Sequence, residues 1–288
     1  MDSLPVLKVP YYPLSPSLPR IRRGIAPLDN GHLSQIDDAE AERIRGEDSV
    51  AAGFLRPLAS SQNLLDGKGR WCLWLEGVDT SIINSSPELT KRTRALKKFR
   101  SESRSRNTQQ WQELPEMLIQ GQVAHEEYLA IPLEVKDEYE YLPVAHLSPE
   151  VVANQSLGVI EEEEFFVAGI LSSRIFHLWR KTAKERFDPT TSLTTFALYQ
   201  TIPVPVMDAG EREEIEHNFD RLLRVRSNFM PNTLAELYSP SFKPNQLRQA
   251  HMRLNLAVYS AYHFPNGISE GVICERLFAL HQSLITLD

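Results

Sequence analysis

A change of hydrophobic period near Met207 constrains this chain more than any other feature of its 288 residues. Beyond it, Ile215, Phe219, Leu222 and Leu223 fall at i, i+4, i+7 and i+8, behind an Asp208–Glu211 pair that resembles a capping box. Leu247, Leu254, Val258 and Ala261 mark a second long helix. Ser269 is placed to cap a third, with Ile273, Leu277, Leu280 and Leu284 on its inner face. Before Met207 the pattern is mixed. "RWCLWL" at 70–75 reads as a short buried strand, and "YLAIPLEV", "YEYLPVAHL" and "SLGVIEEE" between 128 and 163 read as strands divided by polar turns. "FFVAGILSSRIFHLWRKTAKERF" at 165–187 has helical spacing, with Leu171, Ile175 and Leu178 in line and Trp179 beside them. The first residues are proline-rich and aperiodic. The pattern predicts an α+β domain over 1–207, with 1–26 as an extended arm, then a small all-helical domain over 208–288 behind the "IPVPV" linker.

Several function classes drop out early. At 42% hydrophobic and 24% charged the composition is globular, and no apolar run approaches the ~18 residues of a membrane helix. The N-terminus lacks the basic and apolar regions of a secretory signal, so the expected location is the cytoplasm. Cys72 and Cys274 provide neither a disulfide framework nor a zinc site, and the eight histidines contain no H-x-x-x-H pair. "GISEG" at 267–271 spells a nucleophile elbow, but a helix and the loop "HFPNG" precede it where the elbow needs a strand; Ser269 is read as a cap. "EEEE" at 161–164 reads as a solvated run, and no phosphate-cradling glycine loop occurs. No catalytic residue, cofactor site or metal site is expected on this chain.

One stretch opposes the overall charge. The chain carries −7, yet "KRTRALKKFRSESRSR" at 91–106 holds eight basic residues and a single acid, Glu102. Ser86 and Pro87 suit the cap and first position of a helix. Leu89, Leu96 and Phe99 would form its narrow inner stripe, and Lys91, Arg94 and Lys98 its outer face, flanked by Lys97, Arg100 and Arg104. A solvated surface helix is one reading of such a face. Two features favour a phosphate-binding face: the charge is of one sign, and Arg104 and Arg106 continue into a Ser- and Asn-rich loop. The expected phosphate contacts are Lys91, Arg92, Arg94, Lys97, Lys98, Arg100, Arg104 and Arg106.

"PLDNGHL" at 27–33, "FLRPLASSQNLLDGKGRWCLWL" at 54–75 and "KRTRALKKFRSES" resemble the target-recognition domain of MmeI-like DNA methyltransferases. The resemblance runs on through "AIPLEVKDEYEYLPVAHLSPEVVANQSLGVI" and "GILSSRIFHLWRKT". It reaches the C-terminal helical domain of that family in "LAELYSPSFKPNQLRQAHMRLNLAVYSAYHFP" and "CERLFALHQSL". It implies a recognition role on double-stranded DNA for a restriction–modification enzyme that methylates adenine at N6. It also implies a methyltransferase domain or subunit as partner. That partner would bind S-adenosylmethionine, because the Asn-Pro-Pro-aromatic motif and the cofactor loop of the family do not occur in these residues. The chain thus resembles the specificity half of such an enzyme.

The family carries base-reading residues where this chain has "VKDEY", so the resemblance assigns base readout to Glu134, Lys136, Asp137, Glu138 and Tyr139. Lys can donate to guanine, and a carboxylate can accept from the cytosine amino group. An Arg-Tyr-Ser signature is replaced by "TTS" at 190–192 and a tryptophan-bearing segment by "QTIPVP" at 200–205, departures that imply altered or lost specificity. Two other readings stay open: a non-catalytic assembly module, in which a degenerate gene product docks a partner subunit, and an RNA-binding chain. Against the second, no RNP-type aromatic strand and no KH-like GXXG loop is found.

Overall fold

The computed structural model of the chain describes residues 4–118, 123–136, 138–161, 165–189, 193–242, 244–265 and 267–287. Its first elements are β1 (Arg22–Arg23), α1 (Asp38–Glu47), α2 (Ser49–Ala52), β2 (Leu55–Ala59), α3 (Ser61–Asp66) and β3 (Trp71–Leu73). Next come α4 (Thr80–Ser85), α5 (Pro87–Glu102), α6 (Arg106–Gln109), β4 (Tyr128–Pro132), β5 (Ala145–Leu147), β6 (Val152–Ala153) and β7 (Leu157–Ile160). The helices α7 (Phe165–Leu171), α8 (Arg174–Arg186), α9 (Thr195–Thr201), α10 (Ala209–Ser227), α11 (Leu234–Leu237), α12 (Asn245–Ala261) and α13 (Glu270–Leu287) follow. The strands form two small sheets, ordered β1-β7-β4-β5 and β3-β2-β6. The class is α+β, and among the described residues every element after β7 is a helix. Among the described residues no helix is long and apolar enough to cross a membrane.

Two compact units divide the chain, and neither is continuous in sequence. One, here the α5 unit, comprises Arg23–Glu127 and Leu147–Val159; the other, the helical unit, comprises Met1–Arg22, Tyr128–His146 and Ile160–Asp288.

In the α5 unit, β2 pairs antiparallel with β3, setting Leu55 against Leu73 and Pro57 against Trp71, and parallel with β6 through Leu58 and Val152. Behind this sheet lies a core of Ile25, Leu33, Ile36, Ile44, Leu73, Leu75, Leu89 and Leu96. Strand β3 is less enclosed than its apolar run predicts. Trp71 is half-buried and donates through its indole nitrogen to Asp38 at 2.8 Å, with the Arg45 guanidinium 4.3 Å from its ring centre. An amphipathic ring can end a buried strand at the surface because its N–H finds a partner there.

Helix α5 begins as its sequence predicts. The Ser86 hydroxyl accepts from Leu89 N at 3.0 Å, and Pro87 stands at the first position, where no N–H is needed. Asp48 adds a second fastening: its carboxylate accepts from Ala51 N at the start of α2, and from Ser86 Oγ (2.6 Å) and Glu88 N at the start of α5. The inner stripe is Leu89, Thr93, Leu96 and Arg100, with Phe99 only half-buried.

The last member of that stripe is charged. Arg100 is fully buried, and it donates to the carbonyls of Leu28 (3.2 Å), Trp111 (3.3 Å), Leu114 (2.7 Å) and Met117 (2.6 Å). The guanidinium therefore clasps the turn near residue 28 and the irregular segment 111–117 onto α5. Burial lowers its pKa, opposed by the nearby Asp29 and Glu116 carboxylates. Asp29 holds the other side of the turn, accepting from Leu33 N (2.8 Å), Ser34 N (2.7 Å) and Gly31 N (3.1 Å). Asn30 and Gly31 take the positive φ values, 49° and 81°, that this reversal requires.

In the helical unit, α10 packs against α7 and α12, and α13 against α8. Gly169 lets α7 approach α10 closely: a Cβ there would run into the Ile215 side chain. The capping box at Asp208 forms both of its bonds, at 2.9 and 3.0 Å. Ile215, Phe219 and Leu222 are buried, as are Leu247, Leu254, Val258 and Ala261 of α12. On α13, Ile273 and Leu277 are buried and Leu280 and Leu284 half-buried, with Cys274 and His281 completing the inner face. The continuous helical pattern at 165–187 is broken in two. The Ser173 hydroxyl donates to Ile170 O and accepts from Ile175 N, ending α7 and starting α8. The proline-rich arm lies along α9 and the strand-like residues after it, where Leu14 N donates to Gln200 O at 2.8 Å and Ser15 Oγ to Ile202 O at 2.9 Å.

Replacing Arg100 with Met keeps much of its volume and leaves the carbonyls of Leu28, Trp111, Leu114 and Met117 without their donor. We expect a loss of at least about 3 kcal/mol in urea-unfolding free energy. A loss under about 1 kcal/mol would mean that water serves those carbonyls and the clasp is dispensable.

Candidate nucleic-acid interface

The basic stretch divides by what each side chain touches. Lys91, Arg94, Lys97 and Lys98 are exposed along α5, and Arg104 and Arg106 are exposed beyond its end. Lys97 pairs with Glu113 at 2.6 Å, and Lys98 approaches Glu102 at 3.9 Å. Such solvent-exposed pairs contribute little and are screened by salt, so a phosphate can displace the carboxylate at small cost. Lys91, Arg94, Arg104 and Arg106 make no ion pair among the described residues. A mostly basic face with unpaired cations attracts polyanions through its local field, whatever the net charge of the chain.

Two members of the stretch leave the expected set. Arg100 is sealed among carbonyls, and a guanidinium with its donors so engaged cannot also reach a phosphate. Arg92 is also turned inward. It pairs with Glu88 at 2.7 Å and with Glu40, and donates to the carbonyl of His32 at 2.7 Å. Arg43 reaches the same Glu88 at 3.1 Å. Burial alone would raise the Glu88 pKa, but the two arginines outweigh it and hold the carboxyl below its ordinary value. Arg92 thus serves an internal network that ties α5 to α1.

The second expected surface follows β4, whose five residues are all buried. Immediately after it the chain exposes Glu134, Lys136 and Glu138, with the Lys136 ammonium 3.7 Å from the Glu138 carboxylate. Asp137 lies outside the described residues, as do 162–164 of the glutamate run and the "TTS" positions 190–192. Tyr139 corrects its expectation: it is 4% exposed, lying beside Phe176, His177 and Arg180 of α8. An aromatic ring buried there is unavailable to a base edge.

The next residues depart from the expected strand and are held by side chains instead. Arg180 donates to the Tyr139 carbonyl at 3.0 Å, and Arg174 pairs with Glu140 at 3.1 Å. Asn255 donates to the Tyr141 hydroxyl at 3.1 Å while that ring stacks on His251 at 3.8 Å between centroids. Ser172 Oγ donates to Leu142 O at 3.1 Å, and Arg226 to Val144 O at 2.6 Å. With the carbonyls of Tyr139, Leu142 and Val144 so occupied, and Pro143 lacking an N–H, the segment forms no strand before β5. Burial, then the cations of Arg174 and Arg180, lower the His177 pKa, and an Arg180 nitrogen lies 3.2 Å from its Nδ1. Sequence reasoning missed Arg174, Arg180, Arg226 and Asn255. Each meets its partner across a long stretch of chain, and no local pattern marks it.

Other chemistry is sparse. Among the described residues no cluster of His, Cys, Asp and Glu could hold a metal ion, and both cysteines are free and buried. Ser269 stands before α13 with α12 ahead of it, its hydroxyl 3.5 Å from Val272 N, in the place of a cap.

Comparisons with known proteins divide the chain once, near residue 206, and not along its two compact units. The model of the MmeI target recognition domain matches residues 7–206, and that of the MmeI C-terminal domain matches 206–287. DNA methyltransferase A of Bacillus subtilis (strain 168) is 26% identical over 267 residues, 93% of this chain and 30% of that protein. The solved structure of the Type IIL restriction-modification enzyme MmeI in complex with DNA superposes with a TM-score of 0.85 at 25% identity. That match covers 98% of this chain and 37% of the other. The chain spans about a third of the length of these relatives. It belongs to the MmeI family, and consists of that family's target recognition domain followed by its C-terminal domain.

Proposed function

We propose that this chain recognises a double-stranded DNA sequence on behalf of an adenine-N6 methyltransferase of a restriction–modification system. The catalytic domain, on the same polypeptide or another, would bind S-adenosylmethionine and extrude the adenine from the stack. Such a role implies the cytoplasm. The observation that carries the reading is the mostly basic face of α5 and the stretch just beyond it, where Lys91, Arg94, Arg104 and Arg106 make no ion pair among the described residues, on a target recognition domain whose chain is otherwise acidic. These cations, with Lys97 and Lys98, supply sequence-independent phosphate contacts that hold the duplex. Glu134, Lys136 and Glu138, and Asp137 by its position, supply the donors and acceptors for base edges.

Holding is tested by salt. If four phosphates are neutralised, the slope of log K against log salt on duplex DNA is about −3.6. Changing Lys91 and Arg94 together to Gln makes the slope shallower by roughly 1.8 and weakens binding to all sequences alike. An unchanged slope returns α5 to a merely solvated helix and favours the assembly-module reading.

Reading is tested by selection from a randomised duplex pool. Lys136→Ala or Glu138→Ala alters the enriched sequence at one or two positions, by roughly 1–3 kcal/mol at the affected base pair, with nonspecific affinity kept. Enrichment of the same sequence by the unsubstituted chain and both variants excludes this loop as the reader.

A further inference from the structure

The exposed charges of Glu134, Lys136 and Glu138 are followed by a segment fastened at nearly every residue. Tyr139 O is held by Arg180, Glu140 by Arg174, Tyr141 by Asn255 and the His251 ring, Leu142 O by Ser172, and Val144 O by Arg226. These anchors come from α8, α10, α12 and the junction before α8, all within the helical unit. A connection that merely joins two strands needs no such fastening. It is unusual because it uses side chains in place of a backbone ladder, and it begins one residue after Glu138. The first anchor also reaches Lys136: Tyr139 N donates to Lys136 O at 3.1 Å, closing a turn whose far side is the carbonyl that Arg180 holds.

Base readout and phosphate contact differ in what they tolerate. A hydrogen bond to a base edge requires its donor within about 0.5 Å and 10–20° of the right place, and the supporting shell sets that accuracy. A cation beside a phosphate acts through a field and tolerates far more displacement. A clamp on the backbone beside a reading side chain therefore bears on discrimination and not on attraction.

We propose that Arg180 is a positioning residue for sequence readout: by holding the Tyr139 carbonyl it fixes the turn that aims Lys136 and Glu138 at base edges. The inference rests on the reading above, in which those two side chains touch the bases. It gives the helices of the family's C-terminal domain a share in the same task, because α10 and α12 hold the segment further along through Arg226 and Asn255.

The test uses the full chain with Arg180→Ala and Arg180→Lys, beside Lys136→Ala as a reference. Three quantities are measured: the affinity ratio between the selected duplex and a scrambled one, the salt slope, and hydrogen exchange at the Tyr139 amide. In Arg180→Ala the ratio falls roughly tenfold, the Tyr139 amide exchanges faster, and scrambled-duplex affinity and salt slope stay put. Arg180→Lys, which keeps a donor on a shorter reach, recovers part of the ratio. An unchanged ratio in Arg180→Ala, with Lys136→Ala altering it, overturns the inference and leaves the reading intact. A ratio near one for the unsubstituted chain, or one that Lys136→Ala leaves unchanged, overturns the reading and the inference together. Should Arg180→Ala fail to fold, the Lys variant decides: a lowered ratio supports the clamp and an unchanged one overturns it.

Discussion

The position of Arg100 settles how α5 presents itself. A guanidinium sealed among four carbonyl oxygens has exchanged hydration for fixed dipoles, and rotating the helix about its axis would break all four bonds together. Leu89, Thr93 and Leu96 complete the same inner stripe. With that stripe locked, Lys91, Arg94, Lys97 and Lys98 must face water. Asp48 and Ser86 fix the beginning of the helix, while the pairing of Arg92 with Glu88 and Glu40 ties its flank to α1. Two positive charges are used internally, while Lys91, Arg94, Arg104 and Arg106 stand outside with no ion pair among the described residues.

The helical unit meets a different requirement. Its exposed charges at 134, 136 and 138 are few, and their chemistry suits discrimination more than attraction. What the fold supplies there is support, through α8 and the helices packed on it. Under the proposed function this division matches what DNA recognition demands physically, since attraction can be diffuse whereas discrimination depends on placement.

Much of this was legible beforehand where the determinants are local. The capping box at Asp208, the Ser86–Pro87 start of α5 and the apolar spacing of α10 and α12 depend on residues within two turns of one another, and all appear as expected. The basic face was legible as composition. Its exceptions were not: nothing near Arg100 or Arg92 in sequence announces that the carbonyls of Leu28 and His32 await them some 60 to 72 residues away. Ser172 and Ser173 looked compatible with one long helix, and only their bonds to Leu142 and Ile170 show the break. Tyr139 looked free beside its charged neighbours because its neighbours on α8 lie some 40 residues further on. The two compact units were hidden for the same reason. Each is assembled from separated segments, and contacts of long sequence separation leave no periodic trace.

On the proposed function, α5 holds DNA while the loop after β4 reads it. Coupling free energies from double-substitution cycles across the interface test this most directly. Arg94→Ala and Lys136→Ala are each combined with a methylphosphonate that neutralises one phosphate, and with a single base-pair change in the preferred duplex. The account predicts that Arg94 couples to one or more phosphates and to no base pair, and that Lys136 couples to one base pair by roughly 1 kcal/mol or more and to no phosphate. Coupling of Arg94 to base identity, or no coupling of Lys136 to any base pair, would contradict it.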